Sequence, residues 1–336
     1  MTTIDHAMAS YLRDLAIGQS SQTVETYSQG LQRFREFLGS NLHPINHSIT
    51  TLTIDQALGC ARWLSEDRKT ETGRIAKATL RTYLTTLARF YNYLLREELV
   101  NLSASDLQRM REAFKNYRRG YERPLPKLPP DSAIHDLLTA AKSVTTNPKR
   151  LRLERARLRN IAMLESLRSS GMRVGELVRL IRDDLDYRQR SARVTGKGNK
   201  QRVVYFDNYA WSAIQAYLKS RGDGGKGRAL YQLPLFARHD RRAGNRVLPL
   251  TTDTVRLVFN QISRRAGIEI AMTPHSLRHA FATRVLEATG DLAVVQDMLG
   301  HSSPMTTRIY AKVSSKRIRE AHRTAFNYER REEDET

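Results

Sequence analysis

Thr273-Pro-His-Ser-Leu-Arg-His279, Leu299-Gly-His301 and Thr306-Thr-Arg-Ile-Tyr310 set histidines, an arginine and a tyrosine in close order near the end of the chain. Pro274 suits the first turn of a helix. The i, i+3 spacing of His275 and Arg278 then puts both side chains on one helical face. A guanidinium offers phosphate a two-pronged fork, and an imidazole exchanges a proton near neutral pH. Gly300 reads as a helix stop with His301 just beyond it. Tyr310 follows nine residues later. Most tyrosines only pack, and a phenol with a pKa of ~10 attacks phosphorus only where its proton is removed and the phosphate charge is neutralised.

Two upstream segments carry residues of matching chemistry. Arg173 lies in Gly171-Met-Arg-Val-Gly-Glu-Leu177, with Glu176 three positions on, so the carboxylate can orient the guanidinium or form an ordinary surface ion pair. Lys197 sits in Thr195-Gly-Lys-Gly-Asn-Lys200, between two short β-branched and aromatic runs, which is a hairpin signature. Gly196 and Gly198 allow close backbone approach to a ligand, although a glycine-flanked lysine is often just a solvated turn. The pattern is not a phosphate-binding Walker loop. His275 and His279 are four apart, as zinc ligands can be, but no acidic or third ligand lies near them and His279 has apolar company. No metal is expected, and His279 is read as a core or supporting histidine.

Outward from these motifs the chain is helical. Amphipathic spacing predicts helices over 23–38, 53–64, 76–95 and 104–115, an all-α bundle whose aromatics are core. Tyr117 to Pro130 holds four prolines among basic residues and reads as an interdomain linker. Helical patterning resumes at Asp131, and is expected again over 151–167, 210–220, 252–266, 276–289 and 291–299, with 221–250 as a long loop. A further helix is expected over 315–326, packing on its own domain or on a neighbouring subunit, before a charged, frayed end. The domains are therefore 1–116, a linker at 117–130, and 131–336. The fold class is mainly α with a small β-hairpin in the second domain.

The net charge is +21, which favours a polyanionic partner because each cation on a phosphate releases counterions. Residues 1–120 carry +4 of it, leaving +17 for the linker and second domain. No apolar run approaches the ~20 residues that cross a bilayer, and Met1 to Ala16 has no signal-peptide pattern. The single Cys60 excludes an intramolecular disulfide. These features lead to the expectation of a cytoplasmic, nucleoid-associated protein with no membrane partner.

Together the motifs resemble those of the tyrosine recombinase family (phage integrases and Xer-type recombinases): Gly171 to Leu177, Thr195 to Lys200, His275-x-x-Arg-His279, Leu299-Gly-His301 and Tyr310, in that order. Each is weak alone, but five in order are specific, and the first bundle resembles a core-binding domain. The resemblance implies a two-domain, C-shaped DNA clamp without cofactor. It makes Tyr310 the nucleophile, Arg173 and Arg278 the phosphate forks, Lys197 the acid for the leaving oxygen, His275 a proton-transfer aid and His301 a hydrogen-bond partner of the phosphate, with Glu176 and His279 in support. It implies a homotetramer on two duplexes of double-stranded DNA, acting in integration, excision or resolution. Arg74, Lys77, Thr79, Arg81 and Thr82 in the first domain, and Lys200 and Arg202 beside the hairpin tip, are candidate DNA contacts or a solvated face. A type IB topoisomerase and a non-catalytic DNA-binding module are the alternatives.

Overall fold

The computed structural model describes residues 2–40, 46–67, 69–70, 73–119, 128–145, 150–223, 229–244, 246–270 and 272–300. The expectations for His301, Tyr310 and the helix at 315–326 lie outside the described residues, as do the side chains of Lys197 and Arg74. The chain divides into two compact units, Met1–Pro124 and Leu125–Thr336.

The first unit is built from α1 (Ile4–Gly18), α2 (Ser21–Ser40), α3 (Ile54–Arg62), α4 (Lys77–Arg96) and α5 (Ala104–Arg118), with a short ribbon of β1 (Lys69–Thr70) and β2 (Gly73–Arg74). Sequence periodicity missed α1, although Thr3 caps it and Ile4, Ala7, Met8 and Tyr11 form a buried stripe. Helix α4 buries Leu80, Leu84, Leu87, Phe90, Tyr91 and Leu94, so its aromatics are core. The Tyr91 hydroxyl donates to the Thr53 carbonyl at 2.9 Å, just before α3. Helix α5 runs on to Arg118, into the stretch read as linker.

The second unit contains α6 (Asp131–Ser143), α7 (Leu151–Ser170), α8 (Val174–Leu177), β3 (Leu185–Asp186), β4 (Ser191–Thr195) and β5 (Gln201–Tyr205). It continues with α9 (Asn208–Arg221), α10 (Thr252–Arg265), α11 (Pro274–Thr289) and α12 (Leu292–Leu299). Helix α7 is central: every residue from Ile161 to Leu167 is buried, Glu165 included. That carboxylate survives burial because Lys142 and Arg168 each reach it at 2.8 Å.

The strands form an antiparallel meander in the order β3-β4-β5, with Val194 opposite Arg202 and Thr195 opposite Gln201. At the hairpin tip Gly198 and Asn199 take positive φ of 72° and 59°, which the Gly-Asn pair accepts at little cost.

The expected long loop over 221–250 is corrected by the structure. Leu233, Leu235, Phe236 and Ala237 are buried, and bridges join Ile181 to Pro234 and Ala237 to Pro249. Glycines and arginines around it hid the Leu-Pro-Leu-Phe segment, which is a core strap.

Candidate active site

Helix α7 ends at Gly171, whose φ of +60° is the left-handed stop a glycine supplies. The chain then turns into α8, with Arg173 at the N-cap and Glu176 at the third helical position. Glu176 reaches back to accept the Arg173 amide at 2.7 Å and Arg173 Nη1 at 2.9 Å. The pair is not a surface ion pair, because the Glu176 side chain is 1% exposed while Arg173 keeps 38%.

A second guanidinium closes on the same carboxylate. Arg202, on β5, donates Nη1 to Glu176 Oε1 and Nη2 to Oε2, both at 2.9 Å. Its Nε donates to the Met298 carbonyl on α12 at 3.1 Å. Arg202 was expected beside the hairpin tip as a DNA contact or a solvated face; its side chain is 12% exposed and turned inward onto Glu176. Strand alternation explains the direction, since Arg202 shares a face with buried Val204 and lies opposite buried Val194. That alternation was the signal in the sequence, overlooked because arginine usually faces water. Burial by itself would raise the Glu176 carboxyl. Hydrogen bonds from Arg202 and the Arg173 amide, the Arg202 charge, and the Arg173 side chain together hold it at about 2.

Arg278, on α11, is 5% exposed. It donates Nη1 to the Gly171 carbonyl at 2.6 Å and Nη2 to the Leu299 carbonyl at 2.7 Å. Two chain ends, those of α7 and α12, thus fix the plane of one guanidinium. Thr273 caps α11, and Pro274 takes its first turn as the sequence predicts. His275 follows at the surface, with enough protein around its ring to penalise the charged form. That partial burial, and the charges of Arg278, Arg256 and Arg173, lower its pKa. The structure therefore brings Arg173, His275 and Arg278 into one electrostatic neighbourhood. It adds Arg256 of α10, which no motif pointed to and which pairs with Asp253 at 2.9 Å.

The hairpin reaches this group at its base. A Cβ at Gly196 would stand 3.5 Å from Glu176 Oε1, and Arg179 donates to the Thr195 carbonyl at 2.8 Å. Lys197 follows in the turn, and Lys200 is exposed. His279 is half-buried one position after Arg278. Gly300 closes α12 at φ +61°, immediately before His301. In the first unit, Lys77 and Arg81 are exposed in the first turns of α4, while Thr79 and Thr82 are half-buried. Among the described residues no group of three His, Cys, Asp or Glu could hold a metal, and no helix is long and apolar enough to cross a membrane.

A second basic feature lies at the other end of α7, a helix about 30 Å long. Arg152, Arg155, Arg221, Arg238, Arg246 and His239 help line a cavity of 590 Å³. Its carboxylates are already paired, Asp223 with Arg182 and Arg221, and Asp240 with Arg238.

Residues 132–317 match the model of the phage integrase family, and residues 8–98 match that of the phage integrase N-terminal SAM-like domain. The chain belongs to the phage integrase family of tyrosine recombinases. This integrase-family protein is 30% identical over 312 residues to tyrosine recombinase XerC of Pediococcus pentosaceus, covering 91% of the chain and 92% of that relative. It is 30% identical over 327 residues to tyrosine recombinase XerD of Halalkalibacterium halodurans, covering 96% and 98%. Among solved structures, the Tn1549 transposon integrase in complex with transposon right end DNA superposes with a TM-score of 0.68 at 18% identity, covering 96% of this chain and 100% of that one. The XerH recombinase bound to palindromic difH substrate, in a post-cleavage complex, gives 0.66 at 20% identity, covering 89% and 79%. These two likenesses are of fold: the integrase-family protein shares their mainly helical architecture with its small antiparallel sheet.

Proposed function

We propose that this tyrosine recombinase acts on specific sites in double-stranded DNA, cleaving and rejoining strands through a 3′-phosphotyrosyl intermediate. Tyr310 loses its phenolic proton and its oxygen bonds to phosphorus, while the bond to the 5′-oxygen breaks and Lys197 protonates that leaving oxygen. Arg173 and Arg278 hold the non-bridging oxygens and stabilise the charge that builds on them. His275, whose pKa is lowered by partial burial and by the arginines around it, relays a proton, and His301 hydrogen-bonds the phosphate. The covalent bond conserves the energy of the phosphodiester, so rejoining needs no nucleotide.

The observation that carries this reading is the shared neighbourhood of Arg173, His275 and Arg278. Buried groups far apart in the chain set the two guanidiniums, while His275 and part of Arg173 stay accessible. Strand exchange follows from four protomers joining two duplexes through a four-way junction, in the cytoplasm, for chromosome-dimer resolution or movement of a mobile element. Lys77, Thr79, Arg81 and Thr82 of α4, with Arg74 and Lys200, are proposed contacts along the duplex.

The test is covalent capture on a nicked duplex carrying the recognition site. The native chain gives an SDS-resistant DNA adduct, and Tyr310→Phe binds the same duplex without forming it. An adduct that persists in Tyr310→Phe would remove the proposed nucleophile. Supercoil relaxation without exchange between paired sites would instead favour a topoisomerase.

A further inference from the structure

Glu176 carries one negative charge and is contacted by two guanidiniums, one from the N-cap of its own helix and one from β5. Arg202 uses both terminal nitrogens on the two carboxylate oxygens, while Arg173 spends only Nη1. Arg202 also grips the Met298 carbonyl through Nε, so all three of its nitrogens are committed within the protein. Gly300 makes room for it: a Cβ there would stand 2.9 Å from Arg202 Cδ and 3.2 Å from Nη1. Arg173, by contrast, shows no partner for Nε or Nη2 among the described residues. The carboxylate charge is therefore matched by Arg202, and among the described residues no second carboxylate meets Arg173.

We propose that Arg202 is a positioning residue for the cleavage reaction: it neutralises Glu176 so that Arg173 is aimed by the carboxylate without being quenched by it. It also ties β5 to the end of α12, where the chain passes to His301. The physical alternative is plain. With Arg202 removed, a buried carboxylate would hold one cation alone, and a lone buried pair draws together to satisfy itself. Arg173 would then be drawn onto Glu176 and away from any phosphate. The inference rests on the reading of Arg173 as a phosphate fork.

The variants are Arg202→Met, which keeps bulk without charge, Arg202→Lys, and Arg202→Met combined with Glu176→Gln. Each full-length protein is assayed for duplex affinity, for thermal midpoint, and for adduct formation on the nicked duplex at saturating protein. Arg202→Met should bind DNA as the native chain does while its adduct rate falls roughly 10²-fold, the scale of a misplaced catalytic group. Arg202→Lys should recover part of the rate. The double variant should cleave faster than Arg202→Met alone, because no unmatched carboxylate is left to hold Arg173.

Three results overturn the proposal. The first is a native adduct rate in Arg202→Met. The second is loss of duplex affinity with a shallower salt dependence and unchanged cleavage at saturation, which would make Arg202 a DNA contact after all. The third is a parallel fall of midpoint, affinity and rate that deepens in the double variant, the mark of a purely structural role. Failure of the native chain itself to form an adduct would instead strike the proposed function, so the two failures are separable.

Discussion

Arg278 donates to the carbonyl of Gly171 at 2.6 Å across 107 positions of sequence. The acceptor is the left-handed residue that ends α7, so one glycine both stops a helix and orients a guanidinium. A Cβ at Gly171 would lie 2.3 Å from Phe281 Cδ1 and 2.8 Å from Cγ, at a φ of +60°. Gly171→Ala should therefore lose on the order of 3 kcal/mol, combining left-handed strain with overpacking. Urea unfolding measures this, and a loss under about 1 kcal/mol would show that the ring moves aside easily.

Arg278→Lys keeps a positive charge but cannot satisfy the Gly171 and Leu299 carbonyls while presenting a planar fork. Adduct formation should fall about 10²-fold or more, with duplex binding largely kept. Near-native cleavage by this variant would mean that charge alone suffices at this position.

The acid side of the stability curve should carry a signature of His239. The Tyr217 hydroxyl accepts the Ala237 amide at 3.0 Å and shares a hydrogen bond with His239 Nε2 at 2.9 Å. Burial, followed by the charges of Arg159, Arg221 and Arg155, pushes the ring down to about 4. In the unfolded chain it protonates near its ordinary 6.5, so only the unfolded state gains a proton between these values. Stability from this group is complete above 6.5, declines as pH falls from 6.5 towards 4, and levels off below. The slope is at most about 1.4 kcal/mol per pH unit. His239→Gln, which can still accept from Tyr217, should flatten urea midpoints over that window. Superimposable pH profiles for the two proteins would refute the assignment. Glu176, held at about 2, contributes stability that is present above its ordinary 4.5 and lost as pH falls from there through 2, so its window lies below most of that of His239 and meets it only near its lower edge.

The arginine-lined cavity at the far end of α7 tests the polyanion argument away from the reacting centre. Arg152→Ser and Arg246→Ser should weaken duplex binding and reduce the slope of log affinity against log salt by about 0.9 for each phosphate left without its cation. Cleavage at saturation should not change. Unaltered affinity across a salt series would place this charge off the DNA path.

Much of the helical order was legible in the sequence because its causes are local. Thr53 caps α3, Pro274 takes the first turn of α11, Gly300 stops α12, and the stripe from Leu80 to Leu94 faces inward at helical spacing. The hairpin of β4 and β5 announced itself by β-branched and aromatic runs on either side of Gly196 to Asn199. Where local signals were diluted, the reading failed. The strap at 233–237 lies among glycines and arginines, and the buried stripe of α1 is short, from Ile4 to Tyr11.

The sequence by itself determined which residue types stand in which order, and hence the family and the cast of the proposed site. Only the tertiary structure decided what each of them touches. Arg202 looked like a surface cation until the register set it opposite Val194 and its reach brought it onto Glu176, 26 positions away. Arg256 entered the surroundings of His275 through the packing of α10, and the Gly171 and Leu299 carbonyls became the anchors of Arg278. The reason is physical: periodicity and capping act within a turn or two, whereas charge pairing in a low-dielectric interior depends on neighbours that the chain brings together only by folding.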